Sequence, residues 1–158
     1  MIVVSDASPL IALARVNRLE LLRALFGRLI IPDAVWNEIV LSGADKAGKA
    51  DFFRADWIEP RPVNDQALTS LLKHDLGAGE SEAIVLAREL NADFLLMDER
   101  LGRSVARNLG LTTIGLIGVL IEARQRGLLP DVAQLADELH DSAGFWISKE
   151  LHDLLTGK

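Results

Sequence analysis

A three-layer α/β/α sandwich on a mainly parallel central sheet is the fold this 158-residue sequence predicts, from three observations. Short runs made wholly of apolar residues, as in strands buried on both faces, stand at Ile2-Val3-Val4, Leu29-Ile30-Ile31 and Phe94-Leu95-Leu96-Met97, with a weaker one at Leu111-Thr112-Thr113-Ile114. Amphipathic helical patterns lie between these runs, and that alternation is what parallel pairing through crossover helices requires. Hydrophobic residues make up 49% of the chain, ample for a core and incompatible with intrinsic disorder. A domain of this size buries roughly 70% of its unfolded surface.

The elements follow in order. After the first strand, residues 9–16 and 19–26 form one or two helices, with Asp6 or Ser8 placed to cap. Residues 32–41 read as a helix that Asp33 caps and Gly43 ends. Helices over 46–54 and 65–73 flank the Pro60-Arg61-Pro62 break and a short strand at Trp57-Ile58. A helix over 79–90 leads into the Phe94 strand, and helices over 99–109, 116–126, 130–139 and 148–155 complete the chain. Segment 42–48 is too short to divide the chain, which reads as a single domain over 1–158 with a C-terminal helical extension from about residue 130. No apolar run approaches the ~20 residues that span a bilayer, and the start, Met1 to Asp6, lacks the basic region of a signal peptide. Zero cysteines exclude a disulfide framework and a thiolate zinc site; a cytoplasmic location without membrane contact is expected.

In an open parallel sheet, ligands bind outside the carboxyl ends of the strands. Two strands here end in an aspartate, Asp6 and Asp98. Each alone could simply cap the following helix, but on central strands the two bring carboxylates to one edge. At about 100° per residue, Glu80 shares a helix side with Ala83, Ile84 and Ala87, towards the sheet, while Glu82 lies roughly 160° away, towards solvent. A carboxylate turned inward at a helix N-terminus gains from the dipole and loses hydration, which is worthwhile where a cation shares the site. Glu38, one turn into its helix, reads either as a fourth member or as a solvated edge residue. Asp6, Glu38, Glu80 and Asp98 are thus the candidate catalytic and metal-ligating acids. Oxygen-only ligands suit Mg²⁺ or Mn²⁺, as one or two ions, and such a cluster can orient a water for attack on phosphorus.

Other motifs fail on chemistry. The run from Gly43 to Ala50 nearly matches a P-loop, but Ala50 replaces the Mg²⁺-binding hydroxyl and a helix precedes it. Gly77-Ala78-Gly79 has Glu82 where a dinucleotide fingerprint needs glycine. His74, His140 and His152 fall at no metal-ligand or triad spacing.

The stretch Ser5-Asp6-Ala7-Ser8-Pro9-Leu10-Ile11, the positions Pro32, Val35 and Glu38, and the runs Gly79-Glu80-Ser81-Glu82-Ala83-Ile84 and Leu95-Leu96-Met97-Asp98 together resemble the PIN-domain nucleases. The resemblance is to the bacterial and archaeal PIN-like branch of predicted nucleic-acid-binding proteins, which also shows a tail like Gly144-Phe145-Trp146-Ile147-Ser148. It implies a PIN-like α/β/α fold, an endoribonuclease that hydrolyses RNA with Mg²⁺ or Mn²⁺, and often a toxin restrained by a small antitoxin. Carried over, the metal-site acids are Asp6, Glu38, Glu80 and Asp98, and Ser8 matches a small hydroxyl residue two positions after the first acid. The third acid is commonly aspartate in the wider family; here Glu80 and Glu82 compete, with helical phase favouring Glu80 and leaving Glu82 a contribution through water. Phe145-Trp146-Ile147 offers either a core contact or a surface for a homodimer or an antitoxin.

Charge is the obstacle. Seventeen Lys and Arg against 23 Asp and Glu give −6, which opposes nucleic-acid binding by bulk electrostatics. Arg100, Arg103 and Arg107 fall within about 60° on one helical face that starts beside Asp98, a stripe that either binds RNA phosphates or is merely solvated. Setting the four site acids aside brings the net charge from −6 to −2, so RNA binding is expected to depend on metal. The alternatives are a catalytically silent PIN-like module acting through protein or nucleic-acid contacts, and a phospho-acceptor domain using Asp6 or Asp98. The second lacks a supporting lysine or threonine.

Overall fold

In the computed structural model, which describes residues 1–43, 46–143, 149 and 153, β1 (Val3–Ser5) pairs in parallel with a neighbour on each side. One is β2 (Leu29–Pro32) and the other β4 (Phe94–Leu96); β3 (Ile58–Arg61) and β5 (Thr113–Ile114) form the outer strands. The order β3-β2-β1-β4-β5 is parallel at every pairing among the described residues, so the sheet is more uniform than the mainly parallel one expected. The chain therefore winds outward from β1 to β3, then returns to the other side of β1 to lay down β4 and β5. This reversal lies between β1 and β4, the place where α/β sheets open a crevice at their carboxyl edge.

Period-two alternation divides the apolar strand residues between two cores. Val3, Leu29, Ile31 and Leu96 face one side, covered by α1 (Ala7–Arg15), α2 (Glu20–Phe26), α8 (Leu116–Gln125) and α9 (Val132–Ala143), with Phe52 of α4 (Lys46–Arg54) in the same cluster. Val4, Ile30, Leu95 and Met97 face the other, under α5 (Gln66–Leu72), α6 (Ala78–Glu89) and α7 (Arg100–Asn108). Helices on both faces explain why these strands read as unbroken apolar runs instead of alternating ones. Leu135 and Leu139 of α9 are buried in the first core, so the C-terminal helix packs on α1 as part of that layer.

Several boundaries differ from expectation for local reasons. The first helical stretch is two helices, broken where Asn17 takes a left-handed conformation at φ 57°. The helix opened at Pro32 is shorter than expected: α3 (Asp33–Glu38) passes into a π-helical turn, Ile39–Gly43. Asp33 does not cap it but forms its first residue, after Pro32, whose fixed φ suits helix entry. The last helix before residue 144 starts at Val132, where Asp131 Oδ1 accepts from Gln134 N–H at 3.0 Å. Phe145-Trp146-Ile147 and His152 lie outside the described residues, as does nearly all of the helix expected over 148–155. Among the described residues no helix is long and apolar enough to cross a membrane.

Leu96 is fully buried in the first core, one residue before the loop that carries Asp98. Leu96→Ala is expected to cost about 2–5 kcal/mol in urea denaturation through lost burial and a residual cavity; a loss under about 1 kcal/mol would contradict this packing.

Candidate functional site

Asp6 follows the last residue of β1, and its N–H donates to the Leu96 carbonyl at 2.9 Å, which ties it into the seam between β1 and β4. It occupies the N-cap position of α1 in extended conformation, yet its side chain makes no capping hydrogen bond. The simpler reading of Asp6 as a helix cap therefore fails. The residue is 4% exposed, and burial pushes its pKa from 3.8 up to about 7, opposed by the Ala7 N–H and reinforced by the charges of Glu80, Glu38 and Asp98. The charges of the other three candidate acids thus bear on Asp6.

Asp98 lies beyond β4 and is half-buried. It does not cap α7, the helix it precedes; Glu99 does, accepting from Leu101 N–H at 3.0 Å and Gly102 N–H at 2.6 Å. Asp98 Oδ1 instead accepts from Leu116 N–H at 2.7 Å, at the start of α8. Burial raises the Asp98 pKa, offset by this N–H and by the nearby Arg103 charge. Glu38 ends α3, immediately before the π-helical turn. The residue is exposed as a whole, but burial of its carboxyl end raises its pKa.

Glycine closes the distance between these elements. A Cβ on Gly79 would stand 3.4 Å from Val35 Cγ2, 3.5 Å from Glu38 Oε1 and 3.6 Å from Asp6 Oδ1, so both carboxylates approach the backbone of this residue. Glu80 is half-buried, and its Oε2 meets Glu99 Oε2 over Gly102, whose Cβ position is 3.4 and 3.3 Å from the two oxygens. Burial first, then the charge of Glu99 and a hydrogen bond shared with it, raise the Glu80 pKa, while the Gly102 and Leu101 N–H groups lower that of Glu99. Glu99 was missed in the sequence; its signal is an acid directly before a helix with glycine three positions on.

Two expected secondary residues sit differently. Glu82 does not face solvent: it is half-buried, and its Oε1 accepts from Ala34 N–H at 3.3 Å in the first turn of α3. The helical phase is right, but the side opposite Glu80 packs on α3. Ser8 is exposed in the first turn of α1 and makes no hydrogen bond among the described residues. Arg100 and Arg107 are exposed on α7, and Arg103 is half-buried beside Asp98.

Among the described residues no three acids or histidines gather closely enough to enclose a metal ion. The donor set still fits Mg²⁺ or Mn²⁺, because such ions usually keep several waters and take only one or two protein carboxylates directly. Asp6 and Glu38, whose oxygens both approach Gly79, are two such carboxylates.

The raised Asp6 pKa has a definite consequence for stability. The folded state binds this proton more tightly than the unfolded state, so the stability it contributes is present below pH 4 and is lost as pH rises through about 7. In metal-free buffer, Asp6→Asn should be more stable than wild type at pH 8 by on the order of 3 kcal/mol, with a flatter profile between pH 4 and 7. Denaturant titrations across that range measure this, and parallel profiles for the two proteins would contradict it.

Comparison with known proteins follows the same lines. The family model DUF3368, described as PIN domain, matches residues 2–157. No curated protein matches the chain. A solved structure of a PilT N-terminus domain protein, SSO1118 from the hyperthermophilic archaeon Sulfolobus solfataricus P2, is similar in fold with a TM-score of 0.54 and 22% identity, covering 83% of this chain and 96% of that one. PIN domains are generally nucleases and typically use divalent metals. With nearly its whole length matched, the chain belongs to the PIN-domain family.

Proposed function

We propose that this chain is a metal-dependent endoribonuclease that hydrolyses RNA phosphodiester bonds. The observation that carries the reading is Asp6: a carboxyl buried at the reversal point of the sheet, capping nothing, with Glu38, Glu80 and Asp98 around it. Its one hydrogen-bond donor among the described residues, the Ala7 N–H, does not offset the cost of burial, and carboxylates held at such a cost are often catalytic. Asp6 and Glu38 would hold a divalent cation, which would supply Lewis acidity and lower the pKa of an attacking water. The chain's own residues do the rest. Asp98, anchored by Leu116 N–H, fixes the far side of the crevice. Glu82 holds the start of α3 and so steadies Glu38 at its other end. Burial raises the pKa of both Asp6 and Glu80, so a cation held there would compete with protons and bind more tightly at higher pH. Arg103, with Arg100 and Arg107 along α7, attracts the RNA phosphates.

The toxin role, restraint by a small antitoxin, and a homodimer rest on the sequence resemblance, and a cytoplasmic location on the lack of cysteine. A second reading, a silent PIN-like module, is favoured by one observation: no three acids enclose an ion among the described residues.

One assay separates the two. With Mg²⁺ or Mn²⁺ and a panel of single-stranded and structured RNAs, wild type should cleave internally, and chelator should stop it. Asp6→Asn and Asp98→Asn should each lower the rate on the order of 10²-fold or more, a loss of about 3 kcal/mol of transition-state stabilisation. Equal inertness of wild type and both variants under every condition would favour the silent module.

A further inference from the structure

We propose that the cleft between α7, β5 and the start of α8 is a nucleotide subsite, which holds one nucleoside of the substrate with its phosphate against Arg103 and beside Asp98. The proposal rests on the nuclease reading and goes beyond it by naming where substrate selectivity resides. The cleft has a volume of about 400 Å³, within the roughly 300–1,000 Å³ of small-ligand sites. Its lining is chemically divided. Arg103 and Asp98 stand at one side, Ile114 and Ile117 form an apolar wall, and Thr113 adds a hydroxyl. That division suits a nucleoside phosphate, which has an anionic head, a flat base that packs on aliphatic side chains, and polar edges.

Two glycines shape the space. A Cβ on Gly115 would lie 2.9 Å from both Arg103 Nη1 and Asp98 Oδ1, so only bare backbone lets the guanidinium and the carboxylate share this position. A Cβ on Gly118 would lie 2.9 Å from Ile114 Cγ1, so the apolar wall closes on glycine backbone. Arg103 is half-buried, and its guanidinium stands beside the Asp98 carboxylate at the mouth of the cleft, where it can also meet a phosphate. Asp98 belongs to both the cleft and the candidate acid cluster. A phosphate held by Arg103 thus stands next to the proposed reaction centre. A cleft of similar size bordered by Arg18, Leu21 and Gln134 contains none of the site acids.

Titrating the wild-type protein with each of the four nucleoside 5′-monophosphates in Mg²⁺, followed by amide and arginine side-chain NMR shifts, tests the subsite directly. Saturable shifts should centre on Gly115 to Gly118 and Arg103 and differ in affinity among the four bases. Ile117→Phe, which fills the cleft, should weaken mononucleotide binding roughly tenfold and raise KM for RNA by a similar factor, with kcat less affected. Its thermal midpoint and Mg²⁺-induced stabilisation should stay near those of wild type. If Ile117→Phe fails to fold, the wild-type shift map decides alone. No shift in the cleft, or unchanged KM and cleavage positions in folded Ile117→Phe, would overturn the proposal while leaving nuclease activity standing. Mononucleotide binding in the cleft of a protein that cleaves no RNA would retain the subsite and overturn the nuclease reading.

Discussion

The hydrogen bond from Asp6 N–H to the Leu96 carbonyl fixes a carboxylate into the seam between β1 and β4, and the rest of the site is arranged around that placement. Removing a carboxylate from water is unfavourable, and a side chain that caps no helix recovers little of the loss. The fold holds Asp6 there because the strands on either side are covered on both faces by helices. Core packing supplies the free energy; the seam spends it at one position. This division, with stability in the two apolar layers and strain at the carboxyl edge, is the usual relation between an α/β scaffold and its site.

The acids differ in how they are held, and the differences follow from backbone donors. Asp98 and Glu99 are adjacent, yet each serves a separate helix, Asp98 at α8 and Glu99 at α7. Glu99 takes two N–H groups, which lower its pKa; Glu80, which meets it over Gly102, has its pKa raised by burial and by the Glu99 charge. Glycines at 79, 102 and 115 are the positions where these carboxylates approach backbone that carries no side chain. In this site glycine matters less for its conformational freedom than for the volume it leaves empty.

Much of this was legible in the sequence because it depends on local pattern. Buried parallel strands announce themselves as apolar runs, and the two strand-terminal aspartates follow from reading where those runs end. Glu80 was distinguished from Glu82 by helical phase alone, and the structure puts them on different neighbours. What the sequence could not supply was the identity of those neighbours. Glu82 faces α3 instead of water because α3 and α6 pack against each other, a tertiary contact that no periodicity encodes. The capping exchange, in which Glu99 relieves Asp98 of α7 and frees it for α8, requires knowing that β5 returns beside β4. The π-helical turn after Glu38 was likewise invisible, since its residues suit an ordinary helix.

The central claim is that Asp6 and its neighbours are held protonated or mutually repelled until a divalent cation joins them. Calorimetric titration of Mn²⁺ into the chelator-treated protein, repeated in buffers of different ionisation enthalpy between pH 6 and 8.5, tests it most directly. The account predicts saturable binding that releases protons, with the release largest near pH 6 and fading above the Asp6 pKa of about 7. Asp6→Asn should bind more weakly and release fewer protons. Binding with no proton release at any pH, or identical titrations for wild type and Asp6→Asn, would contradict it.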